Sequence, residues 1–140
     1  MTKIPNHSIP EPAHEKKIET SVGVVYLRTD GILHVEAFPN CEIGLAEAKA
    51  FIEAQRVLAA GIKRPLFVNL KYITSIDRPA RLYLGGMEAA NNVISTALLI
   101  HSSFNRIIGN FMIGMNKTLY PTRLFDSEEK AFEWLNTFLG

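Results

Sequence analysis

The chain has 140 residues, of which 47% are apolar, and its fifteen basic and fourteen acidic side chains give a net charge of +1. This length supports one compact domain with its own core, and the basic residues lack the clustering that would favour nucleic acid as a partner. The single cysteine, Cys41, excludes an internal disulfide and a multi-cysteine metal site, and no apolar run reaches the roughly 20 residues of a membrane span.

Residues 1–17 are predicted to form a flexible N-terminal arm, and residues 18–140 a single domain. The arm contains Pro5, Pro10 and Pro12 with mixed charges and no hydrophobic periodicity, which is typical of a segment that buries little surface. It also lacks the continuous apolar core of a secretory signal. Together with the lone cysteine, this predicts a cytoplasmic protein.

The domain is predicted to begin with an antiparallel hairpin. An Asp-Gly turn joins two β-rich runs, at 22–27 and 32–38, and this pair is a strong hairpin signal. Apolar and polar residues alternate in the second run, so one sheet face should be buried and the other wet. We interpret His34 and Glu36 as ordinary polar residues on the wetter face.

Helices and strands alternate after the hairpin. Apolar residues recur at helical spacing between Leu45 and Ala59, which predicts a helix that covers the sheet. A buried strand at 66–70 then leads through a polar connection to a second helix, which Asp77 is predicted to cap. Pro79 is tolerated in its first turn because first-turn N–H groups have no intrahelical partner.

The last third of the chain repeats this alternation. An apolar strand at 95–100 precedes a helix that Ser103 is predicted to cap, and a brief strand at 122–125 precedes a last helix. Asp126 and Glu129 form a capping box for that last helix. The residues predicted to share the buried face of the helix after Ser103 are Phe104, Ile107, Ile108, Phe111 and Met115.

This order predicts an α/β fold with a five-stranded mixed sheet, in which the N-terminal hairpin is antiparallel and the later strands are parallel. Four helices should lie mainly on one face. The second face would carry His34, Glu36 and Asn69, and this mixed polarity favours single-sense winding over a doubly wound sheet. We expect the arm, or a second copy of the chain in a homodimer, to cover the apolar part of that face.

A strand that ends V-N-L, at 68–70, followed by S-I-D, at 75–77, and a helix resembles the STAS domain. This is the family of the bacterial anti-sigma-factor antagonist SpoIIAA. The likeness covers roughly residues 18–139 and is strongest to uncharacterised STAS-like members, in which segments similar to Val68–Arg81 and Arg106–Phe111 occur. The resemblance implies a small regulatory domain with a SpoIIAA-like fold that binds protein partners, switched by phosphorylation in some members.

The resemblance also defines where a phosphoswitch would lie. In the antagonist family the helix starts with D-S-S-G, and the second serine takes the phosphate. This chain has D-R-P-A from Asp77 to Ala80, so the usual phosphorylatable serine is absent. Thr74 and Ser75 lie just upstream, and we interpret both as solvated loop hydroxyls that a kinase could modify instead.

The sequence therefore predicts a non-enzymatic regulatory or protein-interaction module that needs no cofactor or metal. Parallel strands gather their C-terminal ends at one sheet edge, where a partner would bind. The residues predicted to form this partner or ligand surface are Thr74, Ser75, Asp77, Arg78, Arg81, His101, Ser102 and Ser103.

Ligand binding is the first alternative function. Arg78 and Arg81, beside the helix start that Ser103 would cap, could hold a small molecule or lipid headgroup that carries a phosphate or carboxylate.

Hydrolysis by His101, Ser102 and Asp77 is the second alternative. It is less favoured because the chain has no G-x-S-x-G elbow and no acid pair at a characteristic spacing. Cys41 also lacks the local signature of a nucleophile, and we interpret it as a small residue near a loop.

Overall fold

The computed structural model describes residues 11–116 and 119–139. Its strands are β1 (His14–Glu19), β2 (Gly23–Arg28), β3 (Leu33–Ala37), β4 (Cys41–Ile43), β5 (Arg64–Asn69), β6 (Ile73–Ile76), β7 (Val93–Leu99) and β8 (Thr122–Phe125). Its helices are α1 (Leu45–Ala59), α2 (Arg78–Leu84), α3 (Met87–Ala90), α4 (Ser103–Asn116) and α5 (Glu128–Asn136).

The main sheet has six strands in the order β1-β2-β3-β5-β7-β8. The first three strands pair antiparallel, and β3, β5, β7 and β8 pair parallel. Because crossovers between parallel strands are almost always right-handed, a sheet that adds strands in one direction places its crossover helices on one face. That first face carries α1, α2 and α4, which confirms the predicted fold class.

The strand and helix counts differ from the prediction. The sixth strand of the main sheet is β1, so residues 14–17, which were assigned to the arm, pair with β2 instead. Most of its side chains are exposed, and backbone hydrogen bonds hold it at the sheet edge without an apolar signature in the sequence. Residues 1–10 of the predicted arm lie outside the described residues.

Strands β4 and β6 form a second, two-stranded sheet. In it β4 pairs parallel with β6, and the Thr74 and Ser75 segment that was interpreted as a solvated loop is part of β6. The single helix predicted after Asp77 is also divided, because the chain leaves the helix at Gly85 and Gly86 before α3 begins.

The first face holds the larger core. Leu33 and Leu70 are fully buried there, and Phe51 of α1 packs with them. Val25 of β2, Leu66 of β5 and Leu98 of β7 add further apolar area. Burial of this kind stabilises a fold by roughly 25 cal/mol per Å² of apolar surface removed from water.

The second face is covered by α5, so the expected cover by the arm or a second copy is not needed there. Phe67, which shares this face, is fully buried beside Ala131 and Leu135 of α5. The reason is topological: α5 follows the last strand and is not a crossover helix, so it is free to fold back over the opposite face.

His34 and Glu36 lie on the second face, but they are buried and not wet. Their side chains are 3% and 5% exposed, and His34 Nε2 lies 2.7 Å from Glu36 Oε2. Asn69 Nδ2 donates to Glu36 Oε1 at 3.1 Å, and Arg28 Nη1 lies 3.4 Å from His34 Nδ1. We name Arg28, His34, Glu36 and Asn69 the buried polar chain. It satisfies a carboxylate whose burial would otherwise cost several kcal/mol.

The buried polar chain also supports α5. The guanidinium carbon of Arg28 lies 4.0 Å from the centre of the Phe132 ring, and the His34 ring lies 6.0 Å from the same ring centre. Nearby, burial and then the carboxylates of Glu11 and Glu36 raise the pKa of Tyr26 to about 12.

Replacing Glu36 with leucine leaves the His34 Nε2–H and the Asn69 amide without their acceptor. We expect Glu36→Leu to lower the free energy of unfolding by about 3 kcal/mol. The losses in Glu36→Leu and His34→Leu should not add, because either change alone leaves a polar group unpaired. Urea denaturation of the wild type, both single variants and the double variant measures the coupling; strictly additive losses would contradict it.

Candidate functional site

The structure divides the eight predicted site residues between two places. Thr74 and Ser75 lie in β6, and Asp77, Arg78 and Arg81 lie at the start of α2. The others follow β7, where His101 and Ser102 lead into Ser103, the first residue of α4. The two groups do not form one continuous cluster.

Three side chains of the first group, Thr74, Asp77 and Arg81, hydrogen-bond the backbone. The Thr74 hydroxyl donates to the Cys41 carbonyl at 3.0 Å, which ties β6 to β4. The Asp77 carboxylate accepts from the Ala80 N–H at 3.0 Å, so the predicted cap of α2 is confirmed. Ser75 and Arg78 are exposed.

The second group lines an open cleft at the C-terminal edge of the main sheet, together with Arg106 and Asp126. Ser102, and not Ser103, caps α4, because its Oγ accepts from the Asn105 N–H at 3.1 Å. In the same way Ser127 caps α5 in place of Asp126, accepting from the Lys130 N–H at 3.3 Å. Helix α4 therefore begins one residue earlier than predicted, and α5 begins one residue later.

His101 is held by the buried polar chain. Its Nε2 lies 3.0 Å from Asn69 Oδ1, and Asn69 donates through its amide nitrogen to Glu36, so Nε2 of His101 carries the proton. Partial burial, and then Lys71, lower the pKa of His101. Within the described ranges no hydrogen bond joins His101 to Ser102 or Asp77, so the contacts of a hydrolytic triad are not made.

Asn105 fixes the start of α4, although it was not among the predicted site residues. It is 2% exposed, its Nδ2 donates to the Leu70 carbonyl at 2.9 Å, and its Oδ1 accepts from the His101 N–H at 3.0 Å. One amide therefore joins the ends of β5 and β7 to α4. The sequence signal that could have identified Asn105 is a polar residue among the apolar positions of a predicted helix.

The apolar face predicted for α4 is wrong in part. Ile108 and Met112 pack against the core, while Phe104, Ile107 and Phe111 are 48%, 68% and 48% exposed. The side chain of Met115 lies outside the described part of the chain. Because α4 is apolar on two faces, helical periodicity alone cannot tell which face is buried.

Arg81 connects the exposed stripe to α2. Its Nη1 donates to the Ile76 carbonyl at 2.6 Å, and its guanidinium carbon lies 4.7 Å from the centre of the Phe111 ring. Arg78 lies three positions before Arg81 and four before Leu82, so it neighbours each of them on the surface of α2. We define the α2–α4 surface as Arg78, Arg81, Leu82, Phe104, Ile107 and Phe111.

An apolar cavity of about 60 Å³ lies beneath this surface. Ile76 and Leu84 line it on the α2 side, Met112 lines it on the α4 side, and Gln55 reaches it from α1. Gln55 is 4% exposed, and its Oε1 is buried without a hydrogen-bond partner in the part of the chain that the structure describes. An unpaired buried carbonyl costs about 1–3 kcal/mol.

The described residues form neither a metal site nor a membrane-spanning helix, and their cysteine is not reactive. Among residues 11–116 and 119–139, no cluster of three His, Cys, Asp or Glu side chains is arranged to hold a metal ion. No helix in these ranges has the length and apolarity needed to cross a membrane. Cys41 is buried in β4, and burial followed by Glu47 and Glu42 raises the pKa of its thiol to about 11, which opposes a nucleophilic role.

Comparison with known proteins agrees with this architecture. The model of a family described as a domain of unknown function, DUF7793, matches residues 25–139. The chain is similar to the crystal structure of an uncharacterised DUF3478 protein with a SpoIIAA-like fold from Shewanella loihica PV-4. The two have a TM-score of 0.57 and 12% identity over 91% of this chain and 99% of that one. This likeness shows the fold, so the predicted SpoIIAA-like fold is confirmed.

The chain is also similar to the crystal structure of a protein of unknown function from Arthrobacter sp. FB24, with 27% identity and a TM-score of 0.31. That match covers 86% of this chain and 97% of the other. No protein with curated information matches the sequence.

The buried thiol of Cys41 should be unreactive in the native protein. With a pKa of about 11, only about one Cys41 in a thousand is a thiolate at pH 8. We expect dithiobis(nitrobenzoic acid) to leave the native protein unmodified at that pH and to modify it completely in urea. Rapid modification of the native protein would show that the thiol is accessible and ionised.

The unpaired Gln55 side-chain carbonyl should make the wild type less stable than a variant without it. Gln55→Met removes that carbonyl and adds apolar volume, so we expect the free energy of unfolding to rise by about 1 kcal/mol. Arg56→Met is the matched control on the exposed face of α1, where loss of the surface pair with Glu53 should change stability little. Urea denaturation checks both; a less stable Gln55→Met would mean that the carbonyl has a partner.

Proposed function

The chain belongs to the DUF7793 family, and we propose that it is a non-enzymatic protein-interaction module of regulatory type that binds its partner through the α2–α4 surface. The observation that carries this proposal is the exposed stripe of Phe104, Ile107 and Phe111. Large apolar side chains grouped on one helix face are uncommon on monomeric proteins and mark interaction sites.

The stripe is presented on a rigid support. Asn105 anchors the first turn of α4 to two strand ends, and Ile108 packs into the core beside it. Gly109 packs directly against Leu124 of β8, where the Cβ of any other residue would collide. A preformed surface loses little conformational entropy on binding, which favours affinity.

The surface also lies beside the start of α2, where the family resemblance implies partner binding. Arg78 and Pro79 occupy the positions of the two serines, so binding by this chain would not depend on phosphorylation there. Arg78 is exposed, and Asp77 is engaged in capping. A permanent contact surface fits these residues better than a charge-driven switch.

Catalysis by the cleft around His101 has less support. Ser102 is occupied as the cap of α4, and Nε2 of His101 is directed to Asn69 and not to a nucleophile. Each of these side chains has a structural role that accounts for its position. The same contacts that hold α4 in place thus explain the polar residues of the cleft.

A small, mostly apolar ligand is a second candidate, favoured by the cavity and by Gln55 Oε1. Such a ligand would need one hydrogen-bond donor to satisfy that carbonyl, and α4 would have to move to admit it, since about 60 Å³ is small for a binding pocket. A thermal-shift screen of small amides and alcohols tests this. Stabilisation of the wild type that is lost in Gln55→Met would support it.

The proposed contact surface predicts a selective effect of Ile107→Glu. A carboxylate in the middle of the stripe should lower partner affinity at least about 30-fold, or about 2 kcal/mol, because anchors near the centre of an interface dominate its energy. Val57→Glu is the matched control, since Val57 is 50% exposed on α1, outside the α2–α4 surface. Circular dichroism and thermal melts should show that both variants are folded.

The measurement is quantitative affinity purification from cells of the source organism with wild type, Ile107→Glu and Val57→Glu as baits. A partner retained by the wild type and Val57→Glu but lost by Ile107→Glu supports the proposal. Partners that bind all three baits equally would place the contact elsewhere.

A further inference from the structure

We infer that the partner segment is an acidic amphipathic helix that lies in the groove between α2 and α4. This inference rests on the proposed function and adds the chemistry of the partner. It combines three features of the α2–α4 surface: its shape, the cavity beneath it and the sign of its charge.

The shape suits one helix. Phe104, Ile107 and Phe111 follow the i, i+3, i+7 spacing and extend about 10 Å along α4, which is two helical turns. On the other side, Arg81 reaches across from α2 to the Phe111 ring. Two helices bridged by a long side chain leave a shallow groove, and amphipathic helices bind such grooves through residues at i, i+3 or i+4, and i+7.

The cavity provides a place for an anchor side chain. It lies between Leu84 of α2 and Met112 of α4, directly below the groove, and its lining is almost entirely apolar. If α4 shifted to admit it, a partner side chain that entered this cavity would be buried more completely than the exposed stripe alone allows. Interface hot spots have this arrangement, with one side chain in a desolvated pocket.

The charge of the groove is positive. Neither α2 nor α4 contains an aspartate or glutamate, whereas Arg78 and Arg81 both lie on the α2 side. Arg78 makes no hydrogen bond or ion pair within residues 11–116 and 119–139, and no carboxylate pairs with Arg81 there. Carboxylates on a partner helix would therefore meet two cations that lack acidic partners.

The same charge disfavours a second copy of this chain. In a two-fold interface each patch faces its own copy, so Arg78 and Arg81 would meet the same two cations. A bilayer is also a poorer fit, because a flat surface cannot reach the floor of a groove that Arg81 bridges.

The test selects partners without prior choice of sequence. A phage library of random 16-residue peptides is panned on the full-length protein, and the enriched pool is then sorted for loss of binding to Ile107→Glu and retention on Val57→Glu. We expect peptides with apolar residues at helical spacing and a net negative charge. One synthetic representative should bind Arg78→Glu at least about tenfold more weakly, and adding salt should weaken its binding to the wild type.

Charge exchange gives the sharper control. Replacing the acidic residues of that peptide with lysine should abolish binding to the wild type and partly restore binding to Arg78→Glu. Peptides that depend on Ile107 but are neutral or basic would overturn the acidic partner and leave the proposed function standing. If no enriched peptide depends on Ile107, both would fail.

Two further measurements test the two competing partners, a lipid surface and a second copy of the chain. Sedimentation with phosphatidylglycerol vesicles that requires Ile107, in the absence of selected peptides, would identify a lipid surface and overturn the inference. A dimer in light scattering that Ile107→Glu dissociates would identify a second copy and overturn it as well. A monomer that does not sediment with the vesicles supports the acidic helix.

Discussion

A carboxylate buried on the second face of the sheet is the constraint on which the rest of the structure depends. Glu36 has to be fully hydrogen-bonded where it lies, and it receives His34 Nε2–H and the Asn69 amide. The hydrogen bonds continue in both directions. Through His34 and Arg28 they reach Phe132 of α5, and through Asn69 they reach His101 at the C-terminal edge. One buried charge thus orients groups on opposite sides of the domain.

The C-terminal edge shows how polar contacts position an apolar surface. Asn105 joins the ends of β5 and β7 to the first turn of α4, and Ser102 caps the same turn. Every donor and acceptor of this junction is directed inward, at the backbone. The exposed side of α4 carries the apolar stripe beside polar residues such as Arg106, and the residues that resemble a reactive cleft support the helix that presents Phe104, Ile107 and Phe111.

The sequence predicted the fold well because the strands and helices carry strong periodic patterns. The Asp-Gly hairpin, the buried strand before Asp77 and the Asp77 cap all occur in the structure. The prediction from sequence failed where a helix is apolar on two faces and where a strand has no apolar pattern. An α4 that is apolar on two faces does not reveal which one is buried, and β1 has mostly exposed side chains and no clear apolar pattern. The contacts of Glu36 with Asn69, and of Asn69 with His101, join separate segments of the chain and have no local signature.

The start of α2 shows why the chemistry of a partner can be inferred although the partner is unknown. Where the family resemblance implies a serine that gains nearly two negative charges on phosphorylation, this chain has Pro79, and the position before it carries the permanent positive charge of Arg78. A phosphorylation switch works because it changes the sign of the local charge. At the start of α2 in this chain the charge stays positive, because Arg78 and Arg81 are both permanent cations. Selection must then depend on the charge of the partner and on ionic strength, since exposed charges are screened within about 10 Å at 0.1 M salt. In the proposed interaction, the apolar stripe would supply affinity that salt does not remove, and the two arginines would select acidic amphipathic helices.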